Sequence, residues 1–69
     1  MYLKGTQAQC KAYNKEVVEK ENFIGSTTGY AKVEEHQNGV DFCILKHPRY
    51  KSDLEQIENL EGWFDNTQP

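Results

Sequence analysis

The chain has 69 residues, 28% of them charged and 36% hydrophobic, with a formal net charge of -3 and two cysteines, Cys10 and Cys43. A chain this short forms one domain near the lower limit for an unaided core, because about 60 residues bury only about 60% of the surface their unfolded form exposes. The acidic balance argues against a nucleic-acid coat or a basic membrane binder, no apolar run approaches the roughly 20 residues of a membrane-spanning helix, and two cysteines are too few for a disulfide scaffold.

The mean hydropathy of -0.89 is polar, yet the apolar residues are patterned, which reads as a folded domain. The first residues lack the apolar core of a secretory signal. A reducing cytoplasm fits the cysteine usage, with no membrane association expected.

Residues 1–5 alternate weakly, Tyr2 and Lys4 against Met1 and Leu3, and read as a short strand that Gly5 breaks. Thr6-Gln7-Ala8-Gln9 then forms a capping box, in which the threonine hydroxyl accepts from the backbone three residues on and the glutamine reaches back. The helix it opens extends to about Glu21. Cys10, Tyr13 and Val17 recur at helical spacing, Asn14 and Glu21 continue that stripe, and Val18 widens it. Lys11, Lys15, Glu16, Glu19 and Lys20 fall mostly outside it, so the helix lies on something apolar.

Residues 23–29 read as a loop, with Phe23 and Ile24 tucked under the helix end. Asn38-Gly39 then stands between two stretches rich in β-branched and aromatic residues, 30–37 and 40–47. That dipeptide is the strongest short-range hairpin signal, because both centres of a type I′ turn need positive φ. With Asn38-Gly39 as the turn, Gln37 pairs with Val40, Glu35 with Phe42 and Val33 with Ile44. The core face then carries Ala31, Val33, Val40, Phe42 and Ile44. The outer face carries Tyr30, Lys32, Glu34, His36, Asp41, Cys43, Leu45 and His47, of which Tyr30, Cys43 and Leu45 need cover.

Pro48 ends the hairpin, since proline lacks the ladder N–H. Leu54, Ile57 and Leu60 recur every three residues, followed by Trp63 and Phe64 and laced with Asp53, Glu55, Glu58, Glu61 and Asp65. Ser52-x-x-Glu55 is a second possible capping box, and Gly62 a stop. This segment is a short helix or an extended strip. Either it covers the outer face of the hairpin, or part of it, Trp63 and Phe64 above all, docks on another chain as large aromatics near a terminus often do.

The expectation is therefore an α+β domain over residues 1–65, strand–helix–β-hairpin with a three-stranded antiparallel sheet and one main helix, closed by a short helix or extended strip. Residues 66–69 form a polar tail.

The chemistry-bearing residues each have a plain structural explanation. Cys43 and His47 are four apart, which suits a metal on a helix, but on a strand at ~3.3 Å per residue they stand about 13 Å apart, too far to share a zinc ion. His36 falls opposite Asp41 as an exposed pair, His47 reads as a surface histidine, and the cysteines read as free thiols on opposite sides of the sheet. The run from Gly25 to Gly29 leaves a helix for a strand, the reverse of a phosphate loop. Lys46, Arg49 and Lys51 form the one basic cluster and the weak candidate for nucleic-acid contact. No catalytic residue, metal or cofactor is expected.

Gly5-Thr6 leading into Gln9-Cys10-x-x-Tyr13, a hairpin ending Ile44-Leu45-Lys46-His47-Pro48 and a closing Trp63-Phe64 resemble small accessory proteins encoded in tailed-bacteriophage genomes. The resemblance implies a virion or virus–host interaction role, in the virion or the host cytoplasm, and lends no functional residue. The expected function is a non-enzymatic protein-interaction module, most simply a homodimer or a binder of another protein, with Tyr30, Leu45, Leu54, Ile57, Leu60, Trp63 and Phe64 as contact candidates. The alternatives are a small nucleic-acid-binding or metal-dependent regulator, or a small enzyme.

Overall fold

The computed structural model describes residues 1–25 and 33–65. Strand β1 (Tyr2–Gly5) leads into helix α1 (Gln7–Ile24), followed by β2 (Glu35–Gln37), β3 (Phe42–Leu45), β4 (Glu55–Ile57) and β5 (Phe64–Asp65). The α+β class is as expected, with one helix. The sheet is larger than the three strands expected: four antiparallel strands, extended at one edge by the two residues of β5, in the order β4-β1-β3-β2-β5.

The helix starts where the sequence places it. The Gln9 amide donates to Thr6 Oγ1 at 3.2 Å, and the Thr6 amide to Gln9 Oε1 at 3.0 Å. Its other end lies past Glu21. Phe23 and Ile24 are helical, and Gly25 closes the helix at φ +84° with its N–H turned to the Asn22 carbonyl at 3.0 Å. Both side chains point outward, 92% and 60% exposed, instead of tucking under the helix end.

Cys10, Tyr13, Val17 and Glu21 form the buried stripe of α1. The first three pack on Leu3, Phe42 and Ile44, and Val33, Tyr50 and Leu54 close the rim of that core. Glycine at position 5 lets the segment before β4 close on β1, since a Cβ there would stand 2.7 Å from Leu54 Cδ2.

The hairpin register differs from the expected one by two residues. Glu35, not Val33, lies opposite Ile44, and Gln37 lies opposite Phe42. Asn38 and Asp41 face each other across the turn: the Asn38 N–H donates to the Asp41 carbonyl at 3.3 Å, and the Asp41 N–H to Asn38 Oδ1 at 3.4 Å. The two central residues are thus Gly39 and Val40. Only Gly39 has positive φ, at +98°, the pattern of a loop that needs glycine first. Val40 rides at the tip, 85% exposed, and not on the core face. A two-residue shift keeps every side chain on its face, where a one-residue shift would exchange them. Phe42 and Ile44 therefore still meet the helix.

The closing segment is extended rather than helical over β4, which pairs edge-on with β1 through Tyr2↔Ile57 and Lys4↔Glu55. The second capping box does not form. Ser52 Oγ instead accepts from the Leu54 N–H at 3.0 Å, a tight turn into the strand.

The link from β4 to β5 has a forced route. Ile57 lies beside Tyr2 at one end of the sheet, and Phe64 beside Gln37 at the other end of the far edge. Four strand spacings separate the two edges, about 19 Å, with about 10 Å more along the strand direction. Seven residue steps, shortened by the Leu60–Trp63 turn, reach about 20 Å, which suits a diagonal across a twisted sheet and is too short to skirt it. The helix side is occupied by α1 and by Tyr50 and Leu54. Residues 58–63 therefore cross the face away from the helix, as a strap. Leu60 and Trp63 on it are half-buried, and Cys43 on that face is wholly buried. β4 adds to an edge of the sheet, which neither of the two arrangements open from sequence includes.

Candidate functional site

The one cluster of chemistry-bearing side chains among the described residues joins the end of α1 to the turn after β3. Glu21 continues the helix stripe and is fully buried, and His47 is buried beside it, 4% exposed. His47 is therefore not the surface histidine expected. Beyond Leu45 the chain leaves the strand alternation and swings to the helix side. A turn closed by the Tyr50 N–H on the His47 carbonyl at 3.3 Å brings residues 47–50 against the helix.

Glu21 Oε1 lies 2.7 Å from His47 Nε2. Glu21 Oε2 accepts from the Tyr50 hydroxyl at 3.1 Å and from Arg49 Nη1 at 3.4 Å. The Arg49 backbone N–H donates to His47 Nδ1 at 3.1 Å, so in the neutral ring the proton belongs on Nε2, whose contact with Glu21 Oε1 is close but not aligned as a hydrogen bond. The Tyr13 hydroxyl accepts the His47 N–H at 3.2 Å and donates to the Tyr50 carbonyl at 3.5 Å. The His47 and Tyr50 rings lie 4.7 Å apart between centroids, tilted by 36°, and Lys20 Nζ sits 5.3 Å from the Tyr50 ring centre. Burial holds the Tyr13 hydroxyl above its ordinary pKa. Burial, then the bond to Glu21, does the same for Tyr50.

A catalytic pair needs a face open to substrate. Here the acid and the imidazole lie together inside the fold, and the groups around them include Tyr13, Tyr50, the Arg49 guanidinium and the Arg49 backbone N–H. The arrangement can hold a helix to a turn. The signal for it was present in the sequence: a carboxylate on a buried stripe requires partners, and Arg49-Tyr50 are the residues that supply them.

The contact candidates are dispersed. Leu45 and Ile57 flank Tyr2 in one row across three strands on the outer face, with Leu45 40% exposed. Leu54 belongs to the rim of the core, Leu60 and Trp63 to the strap, and Phe64 is 69% exposed at the far edge. Tyr30 lies outside the described residues. The sequence also missed a surface feature. A shallow apolar groove of about 330 Å³ is lined by Glu19, Lys20, Phe23, Ile24 and Tyr50. The misplaced helix end hid it.

Of the basic cluster, Arg49 is engaged with Glu21 and Lys46 Nζ bonds Gln56 Oε1 at 3.2 Å, while Lys51 is exposed. His36 lies opposite Cys43 rather than Asp41, with Nε2 3.7 Å from Glu34. The Cys10 thiol is on the helix side, donating to the Phe42 carbonyl at 3.5 Å, and Cys43 is on the other face. Burial, then the charge of Glu35, raises Cys10. Burial, then proximity to Cys10, pushes Cys43 up to about 11. Among the described residues no three His, Cys, Asp or Glu side chains converge as metal ligands, and no helix is long and apolar enough to cross a membrane.

No protein-family model, curated protein or solved structure matches this chain.

Proposed function

We propose that this chain is a non-enzymatic protein-interaction module that pairs with a second copy of itself. The observation that carries the reading is the surface. Phe23 and Ile24 are 92% and 60% exposed at the end of the helix, and Phe64 is 69% exposed at the far edge of the sheet. Covering one such side chain is worth about 1.5–3 kcal/mol, and symmetric pairing is the commonest way an oligomer supplies that cover. The closed Glu21–His47 cluster supports the same reading by serving the fold. On the resemblance to phage accessory proteins, the proposal extends to a role in the virion or the host cytoplasm, with a second copy or another protein as partner.

Sedimentation equilibrium across a concentration series tests the pairing. A dimer mass at hundreds of micromolar is expected, with Phe64→Ser or Phe23→Ser returning it to monomer and leaving thermal stability within about 0.5 kcal/mol, as for exposed positions generally. A monomeric mass throughout contradicts self-association and leaves another protein as the partner.

A further inference from the structure

We infer that residues 58–65, the strap and β5, open as a unit while the rest of the fold stays closed, and that Cys43 is the group they shield. The strap has few holds. Its half-buried side chains, Leu60 and Trp63, lie across the sheet from the cluster of Leu3, Cys10, Tyr13, Val17, Phe42 and Ile44 that forms the core. The strand that fastens its far end pairs with β2 over two residues, His36↔Asp65 and Gln37↔Phe64, and Phe64 contributes little burial there at 69% exposure. By contrast β1 and β3 pair over four residues beneath the helix.

Segments with few buried contacts and short ladders open at far lower free energy than the global transition. The strap also moves as one piece, because the Trp63 N–H bonds the Leu60 carbonyl at 2.9 Å around Gly62 at φ +84°. Lifting it bares the outer face at mid-sheet, where Cys43 sits between its cross-strand neighbours Lys4 and His36. Cys10 stays under the helix. The two thiols thus report on two different openings of one molecule.

The test uses the full chain and a neutral disulfide reagent at pH 8, with the label on each cysteine followed by mass spectrometry over time. Cys43 is expected to react at least about tenfold faster than Cys10, as local opening precedes global unfolding. Trp63→Ala should speed Cys43 further and widen that ratio. Amide exchange gives a second readout that needs no variant: residues 58–65 should exchange ahead of β1 and β3. Equal labelling rates at the two cysteines, or exchange of 58–65 in step with β1, would overturn the inference.

Discussion

At the scale of single residues, burial decides what the reactive groups do. Cys43 falls on the hairpin face that needs cover, and it is fully buried there, on the face that residues 58–63 cross. Its thiol is held from 9.0 up to about 11. In the unfolded chain it ionises at its ordinary value, so between about pH 9 and 11 the unfolded state has lost a proton that the folded state keeps. Stability is complete below that window and falls as pH rises through it. Cys10 and Tyr13, both raised by burial, act in the same direction. The urea midpoint should therefore drop from pH 8 to pH 10.5, and Cys43→Ala should drop less. Equal losses in the two proteins would show that the thiol is not shielded. Glu21 makes the same point for charge. Its place on the stripe was legible, but its partners sit 26 and more residues away, and a periodicity cannot show a contact between distant segments.

At the scale of elements, local signals in the sequence form as they stand and non-local pairings decide the rest. The Thr6 capping box, the Cys10-Tyr13-Val17 stripe and the two hairpin strands depend on neighbours within a turn or a strand, and all three are present. The turn itself slipped by two because Asn38 used its side chain as an acceptor for Asp41, leaving Gly39 to take the positive φ alone. Whether the acidic strip became helix or strand was not decidable from its three-residue spacing, since β4 exists only because the edge of β1 is there to receive it. Leu54, at the start of that strip, fixes a close approach: a Cβ at Gly5 would meet Leu54 Cδ2 at 2.7 Å and Gln9 Oε1 at 2.9 Å. Gly5→Ala should cost about 1–3 kcal/mol through that overlap, read as a lowered denaturation midpoint. An unchanged midpoint would mean that the strip gives way freely.

At the scale of the whole molecule, the chain solves the small-domain problem with layers. The helix and residues 47–54 cover one face of the sheet, residues 58–63 cross the other, and the buried polar cluster ties the helix end to the turn after β3. A domain of this size has only about 3–5 kcal/mol to lose. That makes the role of Glu21 and His47 the claim on which the non-enzymatic reading depends. Residues kept for catalysis tend to lower stability, and their removal leaves it unchanged or raised. A pair kept to hold the fold behaves oppositely: removing either member strands the other in the interior, at about 3–5 kcal/mol. The direct measurement is a double-mutant cycle in urea with Glu21→Leu, His47→Leu and the double variant. Each single variant should be destabilised to the edge of unfolding, and the double variant should lose clearly less than the sum of the two. Single variants as stable as the parent chain, or more so, would contradict a structural role and reopen the cluster as a site of chemistry.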